Sequence, residues 1–213
     1  VQSFTILSDS TISAIISSTN TSGKLSITSS GVTGVSNDSL FIKPTIISFD
    51  PLNVRIGSNL TINGKNLTGT TSVKINGVAV QSYTVTPTKI IAVVASPATY
   101  GAIEIKTIGG TALSGTYIEP IYTWSGDVDS AWTRNTNWVS NAVPPNANAS
   151  VNIPITFNSY PTLSSNVTVR KLFIGSSTTL NLKNFNIDVK DTLTSSGSVI
   201  GSGSLRMSGT TPQ

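Results

Sequence analysis

Two stretches of this chain repeat one another, and that repeat constrains the fold more than any single motif. Residues 1–44 and 80–120 both open on Val-Gln-Ser and both end on proline. Between those ends Phe4 matches Tyr83, Ile12 matches Ile90 and Ala14 matches Ala92. Gly23 matches Gly101, Leu25-Ser26-Ile27 matches Ile103-Glu104-Ile105, and Ile42 matches Ile118. Read this way, the offset drifts from 79 to 76 through gaps in turn-like stretches, where insertions cost little. Periods of this kind mark repeat architectures. The second stretch is preceded by residues 44–79, with which it makes a complete unit. The first has no such companion. Residues 1–43 are therefore expected to be the C-terminal half of a domain, residues 44–120 a complete domain, and residues 121–213 a third segment of different pattern. An isolated half leaves a sheet edge and an apolar face uncovered, so the chain is expected to be a piece of a longer repetitive polypeptide.

The complete unit alternates in strand fashion. Thr45 to Phe49, Leu60 to Ile62, Val73 to Ile75, Ser82 to Val85, Ile90 to Val94, Ala102 to Lys106 and Thr116 to Ile118 read as strands. Asp50-Pro51, Gly57, Asn63-Gly64, Asn76-Gly77 and Gly109-Gly110 read as breaks or turns between them. Asn76-Gly77 suits a tight hairpin, because both residues tolerate positive φ. Only 10% of residues are charged, and Val, Ile and Thr abound, which favours pleated surfaces over helices. Short strands with regular turn signals indicate an all-β sandwich.

At Pro44, Ile46, Phe49-Asp50-Pro51, Gly57, LTINGKNL at Leu60–Leu67, VKINGVAV at Val73–Val80, Gly101 and Gly109-Gly110, the chain resembles the IPT/TIG immunoglobulin-like domains. The resemblance covers residues 44–120 and, in part, residues 1–43. It implies tandem Ig-like sandwiches. For function it implies little, since such domains serve as stalks, spacers and binding modules.

The last segment carries all three tryptophans, Trp124, Trp132 and Trp138. They follow the pattern W-x-G, then W, then N-W. Beyond them, apolar beats fall at Leu172/Ile174, Leu180/Leu182, Ile187/Val189, Leu193, Val199 and Leu205, separated by Gly, Ser or Asn. That spacing suits the start of a parallel β-solenoid; a second sandwich is the alternative. This segment resembles the W-x-G…NW modules and following solenoid repeats of very large surface proteins of Bacteroidetes, exported by the type IX system and including gliding-motility adhesins. The resemblance implies an extracellular, cell-surface location. The implied role is that of a stalk segment whose partners are neighbouring repeats of the same chain, surface polysaccharide, or the secretion and motility machinery. The alternative is an accessory carbohydrate-binding or spacer module of a secreted polysaccharide-degrading enzyme; a phage fibre is a third reading.

Composition narrows the chemistry. There is no Cys and no His, which excludes disulfides, a His-based triad and the common zinc, haem and iron–sulfur ligand sets. No cofactor is expected, and the chain is expected not to be an enzyme. The net charge is +4, but no basic cluster interleaved with aromatics occurs, so no nucleic-acid face is expected. No apolar run is long enough to span a bilayer. Asp127 and Asp129 form the closest acidic pair; they are read as loop carboxylates accepting backbone N–H bonds, with a Ca²⁺ site as the alternative. The three tryptophans are read as core or as a glycan-stacking platform. Finally, Asp9-Ser10, Asp38-Ser39, Asp129-Ser130 and Asp191-Thr192 each precede a small or aliphatic residue or Thr. They look like the O-glycosylation signal of Bacteroidetes, which makes Ser10, Ser39, Ser130 and Thr192 candidate acceptors.

Overall fold

The computed structural model describes residues 1–17, 20–155 and 158–209. The chain is all-β. Residues 1–40 form two separate antiparallel hairpins. Strand β1 (Ser3–Ser8) pairs with β2 (Thr11–Ile15), and β3 (Gly23–Ser29) with β4 (Val32–Leu40). Their side chains are almost all exposed on both faces.

The next strands enclose a core. They are β5 (Thr45–Asp50), β6 (Asn53–Arg55), β7 (Asn59–Lys65), β8 (Thr70–Ile75), β9 (Val78–Ala79), β10 (Ser82–Val85), β11 (Lys89–Val93), β12 (Gly101–Thr107) and β13 (Gly110–Thr123). One sheet runs β10-β11-β7-β5; β12, β8 and β9 belong to a second sheet beside β13. Period-two alternation turns Leu60 and Ile62 of β7 inward, along with Ile103 and Ile105 of β12. Leu60, Ile62, Ile90 and Ala92 from one sheet share a core with Val73, Ile75, Ile103 and Ile105 from the other. The Asn76-Gly77 hairpin forms as read, with φ of 46° and 81° joining β8 to β9. Asn63-Gly64 does not turn: both residues lie inside β7. Gly64 serves close approach instead, since a Cβ there would sit 2.2 Å from the Thr45 carbonyl oxygen.

The pairing registers correct the repeat alignment. Gly23 pairs with Leu40 as Gly101 pairs with Ile118, and Ile27 pairs with Gly34 as Ile105 pairs with Ala112. Even the bulge is shared, between Lys24 and Ser26 in one copy and between Ala102 and Glu104 in the other. The offset therefore stays at 78 through this hairpin. Leu40 is the partner of Ile118, and the matching terminal prolines are not equivalent positions. Only the β1–β2 turn holds an extra residue, which moves Phe4 opposite Ala14 as Tyr83 lies opposite Ala92.

Strand β13 does not end where the complete unit was expected to end. It runs on to Thr123, pairs in parallel with β6 and then with β14 (Ser150–Ile153). The expected boundary between residues 120 and 121 therefore falls in the interior of a strand. From β14 the sheet continues in parallel through β15 (Val167–Ile174) and β17 (Ile187–Ser195) to β19 (Leu205–Met207). A small parallel pair, β16 (Thr179–Asn181) and β18 (Ser198–Ile200), lies between them in sequence. Val167 pairs with Ile187, and Ile187 with Leu205. Polar side chains repeat at the same beat: Asn166 Oδ1 accepts from Asn186 N–H at 2.9 Å, and Asn186 Oδ1 accepts from Ser204 N–H at 3.0 Å.

Candidate functional site

The densest charged cluster lies where β13 passes from one region into the next. Glu119 lies on β13 between buried Ile118 and buried Pro120 and is only 5% exposed. A carboxylate so placed needs partners, because desolvation penalises its charge. It has three. Ser150 Oγ on β14 donates to Oε1. On β15, Arg170 Nη1 donates to Oε2, and Lys171 Nζ lies 3.0 Å from the same oxygen. Arg170 then bridges outward, with Nη2 2.7 Å from Asp191 Oδ2 on β17. Its guanidinium carbon lies 3.5 Å from the centroid of Tyr100, within cation–π range. Tyr100 meets Tyr117 edge-on at 5.2 Å. The cluster thus ties four parallel strands, β13, β14, β15 and β17, to the β11–β12 loop.

Beside it, Tyr122 is fully enclosed, and its hydroxyl donates to the Ala98 carbonyl at 2.8 Å. Burial pushes the Tyr122 phenol up to about 12, a hydrogen bond with Ser96 opposing it weakly.

A matching contact joins residues 1–43 to the following unit. Asn66, in a left-handed conformation with φ of 56°, accepts from Ser22 N–H at 2.9 Å through Oδ1. Its Nδ2 donates to the Asn20 carbonyl at 3.1 Å. At the offset of 78, Asn20 is equivalent to Ala98 and Ser22 to Tyr100. The same backbone carbonyl in each copy accepts a side-chain bond, from Asn66 of the next unit in one case and from Tyr122, where β13 runs on past Pro120, in the other.

The tryptophan motif has a different job. Trp124, Trp132 and Trp138 are all buried. Trp138 meets Trp124 edge-on at 5.1 Å and Trp132 at 4.8 Å. Trp124 Nε1 donates to the Ser159 carbonyl and Trp138 Nε1 to the Trp132 carbonyl, both at 2.7 Å. Rings so enclosed fill a core and turn no face to solvent. Asn137, fully buried, holds the loop around them. Its Oδ1 accepts from Val128 and Asp129 N–H, and its Nδ2 donates to Asp129 Oδ1 at 2.6 Å and to the Ala131 carbonyl at 3.0 Å. Asp129 is spoken for as well: Oδ1 also accepts from Ala131 N–H, and Oδ2 lies 2.8 Å from Arg134 Nε. Those bonds, with Asn137 foremost, hold the Asp129 carboxyl below its ordinary range. Asp127 is exposed and accepts from Asn158 Nδ2 at 3.3 Å. Among the described residues, no three His, Cys, Asp or Glu side chains converge as a metal site would require.

The four candidate glycan acceptors do not converge. Ser10 is exposed in the β1–β2 turn, and Ser39 is exposed on β4 opposite Lys24. Ser130 is half-buried under Thr162, whose N–H bonds its carbonyl at 2.7 Å. Thr192 is half-buried on β17, its hydroxyl 3.1 Å from Asp191 Oδ1. The residues that matter most at the joints, Glu119, Arg170, Lys171, Asn66 and Asn137, were not singled out from sequence. One signal was present: Arg170 and Lys171 stand side by side inside the apolar run VTVRKLFI, where a strand buried on one face accommodates two cations only if an acid waits for them.

No protein-family model matches the sequence, and no curated protein matches it. Among solved structures, SGBP-B from a complex xyloglucan utilization locus in Bacteroides uniformis is 16% identical, over 61% of this chain and 39% of that one, with a TM-score of 0.36. An auxiliary nutrient binding protein from Bacteroides ovatus is 17% identical, over 45% and 25%, with a TM-score of 0.35. A structure determined with xylogluco-oligosaccharide is 24% identical, over 46% and 23%, with a TM-score of 0.36. This chain spans between 23% and 39% of the length of these three proteins. No helix among the described residues is long and apolar enough to cross a membrane.

Proposed function

We propose that this chain is a non-catalytic, extracellular spacer module of a bacterial surface protein that handles polysaccharide. It consists of Ig-like sandwich material followed by parallel β-solenoid coils, and it holds neighbouring domains at fixed separation and angle. One observation carries the reading: each joint is clamped by the same loop of the preceding unit, through the Asn20 carbonyl in one case and the Ala98 carbonyl in the other. A flexible tether needs no such contact. The second joint adds a continuous strand and the Glu119–Arg170–Lys171 cluster. The mechanics are the same for an adhesin stalk and for an accessory spacer beside a degrading enzyme; the two differ in what the rest of the polypeptide carries. The resemblance of the W-x-G…NW segment to type IX-exported surface proteins supports the surface location.

A second reading is direct glycan binding. It is favoured by Tyr117, a residue 55% exposed beside Tyr100, which offers a stacking surface that the buried tryptophans do not. A soluble-glycan array with the intact chain and Tyr117→Ala separates the two. Saturable binding that Tyr117→Ala abolishes without changing the melting temperature overturns the spacer reading in favour of the binding module. Absence of binding by both proteins is the result expected of a spacer.

A further inference from the structure

The two hairpins of residues 3–40 carry the face of a core without the core. Because the repeat registers match apart from the extra residue in the β1–β2 turn, each inward position of the complete unit names its counterpart. Ile90, Ile103 and Ile105 are 0% exposed, while their equivalents Ile12, Leu25 and Ile27 are 38%, 44% and 55% exposed. Ala92 and Tyr83 correspond to Ala14 and Phe4, both exposed. Leu40, the equivalent of buried Ile118, lines with Val1, Ile16 and Leu25 an open groove of about 440 Å³. The backbone edges are also unused. In the complete unit, β11 pairs with β7 and β12 with β8; among the described residues, β2 and β3 have no such second neighbour.

A glycine records the same vacancy. A Cβ on Gly101 would lie 2.6 Å from Asn76, the hairpin residue of the first half of its own unit. Gly23 holds the equivalent place, yet nothing lies within 4 Å of a Cβ there. Glycine costs conformational entropy in a strand, and in the second copy an approaching Asn side chain is the reason for it.

From these placements we infer that residues 1–43 are the receiving half of a second sandwich. It is filled by a segment of the same polypeptide outside residues 1–213, patterned like residues 44–79 and entering at Val1 as residues 44–79 enter β10. That segment supplies one strand antiparallel to β2, with alternating apolar residues like Asn59–Lys65. It supplies a second antiparallel to β3, like Thr70–Ile75, followed by an Asn-Gly-type turn over Gly23. The substitutions across the two copies are close in volume: Tyr83 by Phe4, Ile103 by Leu25 and Ala112 by Gly34. Residues 44–79 themselves are therefore a usable stand-in.

The test is amide hydrogen exchange on the intact chain and on a chain with a second copy of residues 44–79 joined before Val1. In the intact chain, residues 11–15 and 23–29 are expected to exchange at least about 100-fold faster than residues 89–93 and 101–107. In the extended chain that gap is expected to close by at least about 10-fold. A second variant guards against a misfolded graft: residues 3–40 replace residues 82–118 in the intact chain, beside the native residues 44–79. Cooperative unfolding of that chimera is expected, with protection over the transplanted strands. Three results overturn the inference. One is that residues 11–15 and 23–29 are as protected as residues 89–93 and 101–107 in the monomeric, unextended chain. Another is that the unextended chain is a dimer protected at those strands, which makes a second copy the occupant. The third is that neither the graft nor the chimera protects them.

Discussion

Replacing Glu119 by Gln isolates the charge at the joint from its shape. Gln keeps the volume and an oxygen able to accept from Ser150 Oγ, but removes the negative charge that Arg170 and Lys171 share. Arg170 retains Asp191 at 2.7 Å, so the loss falls mainly on Lys171. Breaking a fully buried pair from one side costs about 3–5 kcal/mol. Here the cation side chains keep 17% and 23% of their exposure, and solvent relieves part of the penalty. The expected loss is therefore about 2–3 kcal/mol, or a fall of about 5–10 °C in melting temperature for a chain of this size. Calorimetry on wild type, Glu119→Gln and Glu104→Gln reads it. Glu104 pairs with Lys74 at 3.9 Å on the surface, and its removal is expected to cost less than about 0.5 kcal/mol. Equal stability of the two variants, or a Glu119→Gln protein as stable as wild type, would refute the reasoning.

Tyr122 links stability to alkaline pH. Its folded phenol ionises at about 12, against an ordinary value near 10. The stabilisation is fully present below about pH 10 and declines as pH rises from there to about 12, by some 2–3 kcal/mol in all. Denaturant titrations of Tyr122→Phe should lack that alkaline decline, while showing about 1 kcal/mol less stability at neutral pH because the Ala98 carbonyl loses its donor. Asn137→Ala leaves the Val128 and Asp129 N–H groups without their acceptor and takes one of two donors from Asp129 Oδ1; about 3 kcal/mol of destabilisation is expected by chemical unfolding, and a change under 1 kcal/mol would contradict the assigned role. Gly126→Ala places a methyl 2.1 Å from the Ser159 carbonyl at a φ of +64°. A loss of several kcal/mol is expected, read by near-ultraviolet circular dichroism of the tryptophans.

Local chemistry was legible and distant pairing was not. The strands from Thr45 to Ile118 announced themselves through alternation, and Asn76-Gly77 turned as its φ tolerance implies. The same dipeptide logic failed at Asn63-Gly64, because a glycine demanded by a neighbouring carbonyl reads like a glycine demanded by a turn. The repeat was visible, but its end was misaligned. The eye matched Pro44 to Pro120, whereas the shared bulge keeps Leu40 opposite Gly23. Pro120 read as the end of a unit, yet it lies in a strand whose parallel neighbours arrive from β6 and β14. The joint cluster was invisible because Glu119 meets Arg170 and Lys171 from about fifty positions away. The tryptophans stood out as core or platform, but Asn137, which organises their loop, is ordinary in a chain rich in Asn.

The central claim is that the unit ending in β13 and the parallel strands after it move as one body. The chain has no cysteine, so two can be introduced cleanly, at exposed Thr84 on β10 and exposed Ser198 on β18. Spin labels at these sites, measured by pulsed dipolar spectroscopy in frozen solution, report the separation directly. One narrow distance distribution, unchanged between low and moderate salt, is the expected result. A broad or bimodal distribution from a protein of wild-type stability would contradict a rigid joint.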